Sequence, residues 1–346
     1  MTGGRWRVGP LLVIGSLASL VMTAGIVTRV DALAGIGSLA ALAYLLVLSL
    51  VLAREVATDR SRLDAAWRED SGGAPPTPGR GLGDALAVRI LIVAVLVAFA
   101  TTLAVVVLSD GWWLLAFSVV PAVGVLHARR TRLTPRVWVA GAAIAVAMVA
   151  VEAVFRENAL GGLVLGAVIA PQAMAGVVLL QSSRLARVWL LEGRLRSAGR
   201  AFALGCLLAV PPALMNVSGM TAEMASAAEA SFRSGWMAFY ALQPALLEEA
   251  WARLFVLPLL FVVFRSASGS TTGRALLFAL LVSVAVHGLA HAPQSIATVS
   301  NALFTALVYG VPLALLFLRR GLESTIGYHF FIDFVRFGYV ILVLHG

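Results

Sequence analysis

The 346-residue sequence contains no lysine and a single cysteine. One thiol excludes an intrachain disulfide, a cysteine-rich zinc site and a CxxC redox pair. Cys206 sits in an apolar run and reads as a small packing residue. Charge is scarce as well, at 12% of residues, about half the roughly 25% of soluble domains. With 60% apolar residues and a mean hydropathy of +0.95, so few charges cannot cover a soluble surface. Disorder is excluded by the same composition. A bilayer is the environment that suits this chain.

A spanning helix needs about 20 largely apolar residues. Such runs occur near 9–28, 32–53, 85–108, 112–127, 137–155, 160–181, 201–217, 236–264, 275–291, 301–318 and 322–345. The expected fold is therefore all-α, a polytopic integral membrane bundle of about eleven helices, with 112–127 and 201–217 the shortest runs. The first run is followed at once by a second, so it reads as a retained helix rather than a signal peptide. The net charge of +9 comes entirely from 26 arginines. Twenty fall in breaks on one side of this topology, against Arg29, Arg156 and Arg233 on the other. That asymmetry predicts a cytoplasmic N-terminus in a multi-pass plasma-membrane protein. No basic stripe interleaved with aromatics is present, so a nucleic-acid partner is not expected.

Residues 54–84 end in a Gly/Pro/Ser-rich stretch and read as a flexible cytoplasmic loop. Residues 182–200 alternate Arg with Leu, Val and Trp189, which predicts an amphipathic helix on the inner surface. Gly162 and Gly166 form a GxxxG pair suited to close helix packing. The chemistry-bearing residues divide the chain in two. Residues 1–200 form an N-terminal membrane region without an assignable motif. Residues 201–346 form a core whose motifs lie within 240–337.

Ionisable groups at membrane depth are costly and mark functional sites by default. The first cluster is Glu248-Glu249-x-x-x-Arg253, shortly after Pro244, a residue suited to the first turn of a helix. Glu249 and Arg253 can pair at i, i+4. Glu248 points about 100° away and lacks that partner, which suggests one structural and one proton-transferring carboxylate. His287 and His291 share a face at i, i+4, as do His329 and Asp333, with Arg336 a turn on. Taken singly, each histidine could be a packed residue and Glu249–Arg253 a structural pair. Together on three neighbouring helices, they read as one polar site, because buried unpaired groups would each cost several kcal/mol.

These three motifs, in this order, resemble the CPBP intramembrane proteases, the CAAX prenyl protease and bacteriocin-processing (Abi-like) proteins. The resemblance covers roughly residues 240–337. It implies a membrane-embedded endopeptidase in which Glu248, with His291, activates a water. Glu249 and Arg253 would brace the site. His329 and Asp333 would polarise the scissile carbonyl or stabilise its oxyanion, and the partner would be a membrane-associated peptide or protein. The chain departs from the family pattern in having Leu254 where Gly often follows the Arg, His287 where Phe often stands, and Asp333 where the last motif can end in Asn. No cofactor is required on this reading. The alternative is a zinc protease with Glu248, His287, His291 and His329 as ligands, although HExxH is absent. A proton-coupled transporter and a non-catalytic scaffold are the other classes such residues could serve.

Overall fold

A computed structural model describes residues 31–58, 118–218, 235–268, 272–291 and 302–345. The described residues form helices and connecting turns, with no strand among them. In chain order the helices are α1 (Asp31–Thr58), α2 (Val119–Ala128), α3 (Pro135–Arg156), α4 (Ala159–Ser183) and α5 (Leu195–Ser218). An unbroken helical segment follows: a 3₁₀ turn Gly235–Ala241, α6 (Leu242–Glu248), a π-helical stretch Glu249–Val256 and α7 (Leu257–Ser268). Then come α8 (Thr272–Ala290), a second π stretch Ala306–Gly310 leading into α9 (Val311–Arg320), and α10 (Leu322–His345).

Six helices among the described residues are long and apolar enough to cross a membrane: α3, α4, α5, α8, Ala302–Arg320 and Leu322–Leu342. Their outer faces carry exposed aliphatic side chains such as Val146, Leu160, Leu207, Leu281 and Leu342, as lipid-facing surfaces do. The chain is a multi-pass membrane protein. The expected runs 9–28 and 85–108 lie outside the described residues. Of the run 112–127, residues 119–127 lie in α2, and 112–117 lie outside the described residues. The expected loop 54–84 begins later than its composition indicated, since α1 continues to Thr58. The remainder of that loop lies outside the described residues.

Local chemistry sets the helix ends. Pro135 starts α3 at its first turn after extended Thr134. Asn158 caps α4 by accepting a hydrogen bond from the Gly161 amide at 2.9 Å. Gly162 and Gly166 do pack closely: a Cβ on Gly162 would sit 2.7 Å from the Val149 Cα, and one on Gly166 would sit 3.1 Å from the Ala145 Cα. Gly205 and Gly327 play the same part where α5 crosses α10, against Ser324 and Phe202.

The amphipathic helix expected over 182–200 does not form. α4 stops at Ser183, Arg184 takes a left-handed conformation (φ 50°), and an irregular strap runs to α5. Leu185 and Ala186 are buried in the core. The strap is tied to the start of α10. The Leu322 amide donates to the Arg187 carbonyl (3.1 Å), Trp189 Nε1 to the Arg320 carbonyl (3.0 Å), and the Leu190 amide to Glu323 Oε1 (2.8 Å). These tertiary bonds outweigh the helical periodicity of the sequence.

Candidate active site

α6 begins at Leu242, which puts Pro244 in its first turn as the sequence predicts. From Glu249 the backbone widens from i→i+4 to i→i+5 hydrogen bonding, a geometry often found at functional sites. The Ala252 carbonyl accepts from the Leu257 amide five residues on and also from Ser283 Oγ of α8 at 3.1 Å. Gly176 of α4 lies against the Leu254 carbonyl so closely that a Cβ there would overlap it. Leu254, where Gly often stands, is thus accommodated by a glycine on the facing helix.

The three motifs meet at Glu248. Its Oε2 lies 3.1 Å from His291 Nε2, 3.7 Å from His329 Nε2 and 4.0 Å from His287 Nδ1. Glu249 lies beneath, wholly buried, with Oε1 accepting from His329 Nδ1 at 2.9 Å and Oε2 3.5 Å from Arg253 Nε. Arg253 Nη1 donates to His287 Nδ1 (2.9 Å) and Nη2 to the Gly310 carbonyl (3.3 Å), at the end of the second π stretch. Asp333 Oδ2 sits 3.4 Å from His329 Nε2. Glu248, Glu249, Arg253, His287, His291, His329 and Asp333 therefore form one contiguous group from three helices. Arg336 is exposed and belongs to none of these contacts.

Solvent exposure grades the group. The side chains of Glu249, Arg253 and His287 are 0%, 1% and 2% exposed. Those of His329, Asp333 and Glu248 are 10%, 14% and 16% exposed, and His291 reaches 36%. A dry floor thus supports an accessible rim.

Hydrogen-bond chemistry assigns the tautomers. A guanidinium only donates, so His287 Nδ1 accepts from Arg253 and its ring hydrogen is on Nε2. A carbonyl only accepts, so His291 Nδ1, 2.9 Å from the His287 carbonyl, carries the hydrogen. His291 Nε2 then meets Glu248 Oε2 lone pair to lone pair, and one proton must lie between them. His329 faces carboxylates at both nitrogens and can donate from each.

Glu248, His287 and His291 place one possible ligand atom each within 4.8 Å of one another, so their spacing could hold a metal ion. Their chemistry fits one poorly, because the His287 lone pair is committed to Arg253, and the guanidinium is a fixed cation beside the cluster.

Residues 231–335 match the family model described as type II CAAX prenyl endopeptidase Rce1-like. The motif region is Rce1-like. That match bears out the resemblance read from the motifs; it includes Glu248 through Asp333 and spans less than a third of the chain. No curated protein and no solved structure matches the chain.

Outside the Rce1-like motifs, the sequence reading passed over Glu152, a single acid in the apolar run 137–155. It is 2% exposed in α3 and accepts from Tyr240 Oη at 2.7 Å. Exposed Arg156 donates to the same hydroxyl (3.3 Å) and lies 5.5 Å from its ring centroid. The rule that singled out Glu248, an ionisable residue in an apolar run, could have found it. This cluster ties α3 to the turn that precedes the motif helix.

Proposed function

We propose that the chain is an intramembrane endopeptidase that hydrolyses a peptide bond with a water activated by Glu248. The observation that carries this is the placement of Glu248, a side chain 16% exposed, with its Oε2 against three imidazoles above a buried ion pair. The match of residues 231–335 to a family model of CAAX prenyl endopeptidases supports the reaction class.

In this mechanism, Glu248 and His291 share one proton and accept another from a water bound between them and the substrate carbonyl carbon. Attack forms the new C–O bond. His329, held by Glu249 at Nδ1, turns its Nε2–H from Asp333, 3.4 Å away, to the oxygen on which negative charge develops. Collapse breaks the C–N bond, and the Glu248–His291 pair returns its proton to the leaving amine. Asp333, an acceptor only when ionised, orients His329 rather than contacting the oxyanion. Glu249 and Arg253 brace the floor.

The reading requires no cofactor, because the His287 lone pair that zinc would need is committed to Arg253. Zinc ligation by Glu248, His287, His291 and His329 is the competing proposal. It would require Arg253 to leave its contact. The substrate is a membrane-associated peptide or protein, reached in the plasma membrane by a chain of about eleven spans with its N-terminus in the cytoplasm. Residues 201–346 would be the protease core and 1–200 an accessory membrane region.

The test compares membrane-proximal peptides released in cells carrying wild type and Glu248→Gln. Peptides present only with wild type are expected, with the variant accumulating normally and losing at least about 10²-fold in rate, the lower range for acid–base catalysis. Activity within tenfold of wild type would refute the general-base role. Bound zinc at one equivalent, lost together with activity in His287→Phe, would establish the metal alternative.

A further inference from the structure

We propose that His287 is the positioning residue that fixes the orientation of His291. Four observations converge on it. His287 is 2% exposed, so it does not meet a substrate directly. Its side chain anchors the last turn of α8 to the π stretch through Arg253 Nη1 (2.9 Å), and the same guanidinium holds the Gly310 carbonyl. Its backbone carbonyl receives His291 Nδ1–H (2.9 Å), which leaves His291 Nε2 facing Glu248 Oε2 (3.1 Å). Its ring lies against the His291 ring, centroids 4.6 Å apart.

His291 needs such an anchor. It stands one residue past the end of α8 and is the most exposed member of the cluster, at 36%. A histidine at the end of a helix keeps a single tautomer and aim only if the turn beneath it is pinned. His287 pins that turn from the side while supplying the carbonyl that selects the tautomer. An apolar aromatic in its place would fill the volume and leave Arg253 without its acceptor.

The experiment uses the full-length chain in lipid nanodiscs with ¹⁵N-labelled histidine; the five histidines keep the spectrum assignable. Wild type is expected to show His287 protonated on Nε2 alone and His291 hydrogen-bonded through Nδ1. His287→Asn keeps an acceptor atom on Cγ and should preserve the His291 signals. His287→Phe should leave His291 averaged between tautomers, while His127, away from the site on α2, stays unchanged. A proton on His287 Nδ1 in wild type, or a His291 unaltered in His287→Phe, would overturn the proposal. A second arm rests on the protease reading: kcat should fall about 10²-fold in His287→Phe, the scale of a 1 Å misplacement, with KM nearly unchanged and substantial rescue in His287→Asn. Equal loss in both variants would also overturn it. Because the spectra need no substrate, failure of the protease reading leaves this inference independently testable.

Discussion

Replacing Arg253 by Met keeps an apolar stem of similar length and removes the guanidinium. Three contacts disappear at once: to Glu249 (3.5 Å), to His287 (2.9 Å) and to the Gly310 carbonyl (3.3 Å). Breaking a buried ion pair from one side costs about 3–5 kcal/mol, chiefly because the remaining charge is stranded. Glu249, at 0% exposure, still receives His329 Nδ1, so the lower end, about 3 kcal/mol, is expected. Since 1.4 kcal/mol is about a factor of ten, this is a loss of more than a hundredfold in the folded-to-unfolded ratio. Arg253→Lys should recover only part of it, because a single ammonium cannot reproduce a planar fork engaging three helical elements. Size-exclusion profiles after graded heating in detergent, with steady-state abundance in membranes, measure the effect. Wild-type melting and abundance for the Met variant would refute the bracing role.

Further outcomes follow from the packing and from the second polar cluster. Gly176→Val should lower thermal stability by about 1–3 kcal/mol, the range for overpacking, because its side chain must displace the Leu254 carbonyl; wild-type melting would show that α4 and the π stretch can part freely. Tyr240→Phe strands Glu152, at 2% exposure, and should cost about 1–3 kcal/mol as a buried acceptor loses its donor, while Glu152→Gln in that background should recover stability by removing the charge. No loss in Tyr240→Phe would place Glu152 in water. Asp333→Asn should keep the fold and reduce kcat more than it raises KM; a variant as active as wild type would show that His329 needs no carboxylate at Nε2.

The parts of the site that lie on one helix were legible from spacing. Glu249 with Arg253 and His329 with Asp333 are i, i+4 partners, and helix geometry alone brings them together. The bonds that join the helices were not legible, because His329 to Glu249 and Arg253 to His287 depend on which helices pack and at what depth. The π stretches were hidden for the same reason: Ser283 and Arg253 bind carbonyls at Ala252 and Gly310 from other helices. In the fold, six of the long apolar runs are helices long and apolar enough to span among the described residues. The strap at 184–194 defeated periodicity, since Arg and apolar residues alternate there for two different reasons: some apolar residues enter the core, and the backbone binds the start of α10. Glu152 was legible and overlooked because it stands alone in its run.

The site's exposure gradient and its hydrogen bonds express one physical requirement. Within a membrane, no bulk water is available to satisfy a stray lone pair or N–H, so each polar side chain must be satisfied by another. Glu249 and Arg253 form an ion pair at 3.5 Å and reach outward to His329, His287 and the Gly310 carbonyl, while Glu249 Oε2 and Arg253 Nε have no hydrogen bond. Glu248 differs from that pair in exposure, its side chain being 16% exposed against 0% and 1%. Its Oε2 faces three imidazoles at 3.1–4.0 Å and shares a proton with His291. A carboxylate and an imidazole that share one proton at the edge of a buried ion pair can pass a second proton to and from a water. A purely structural cluster gains nothing from turning such a pair toward the rim.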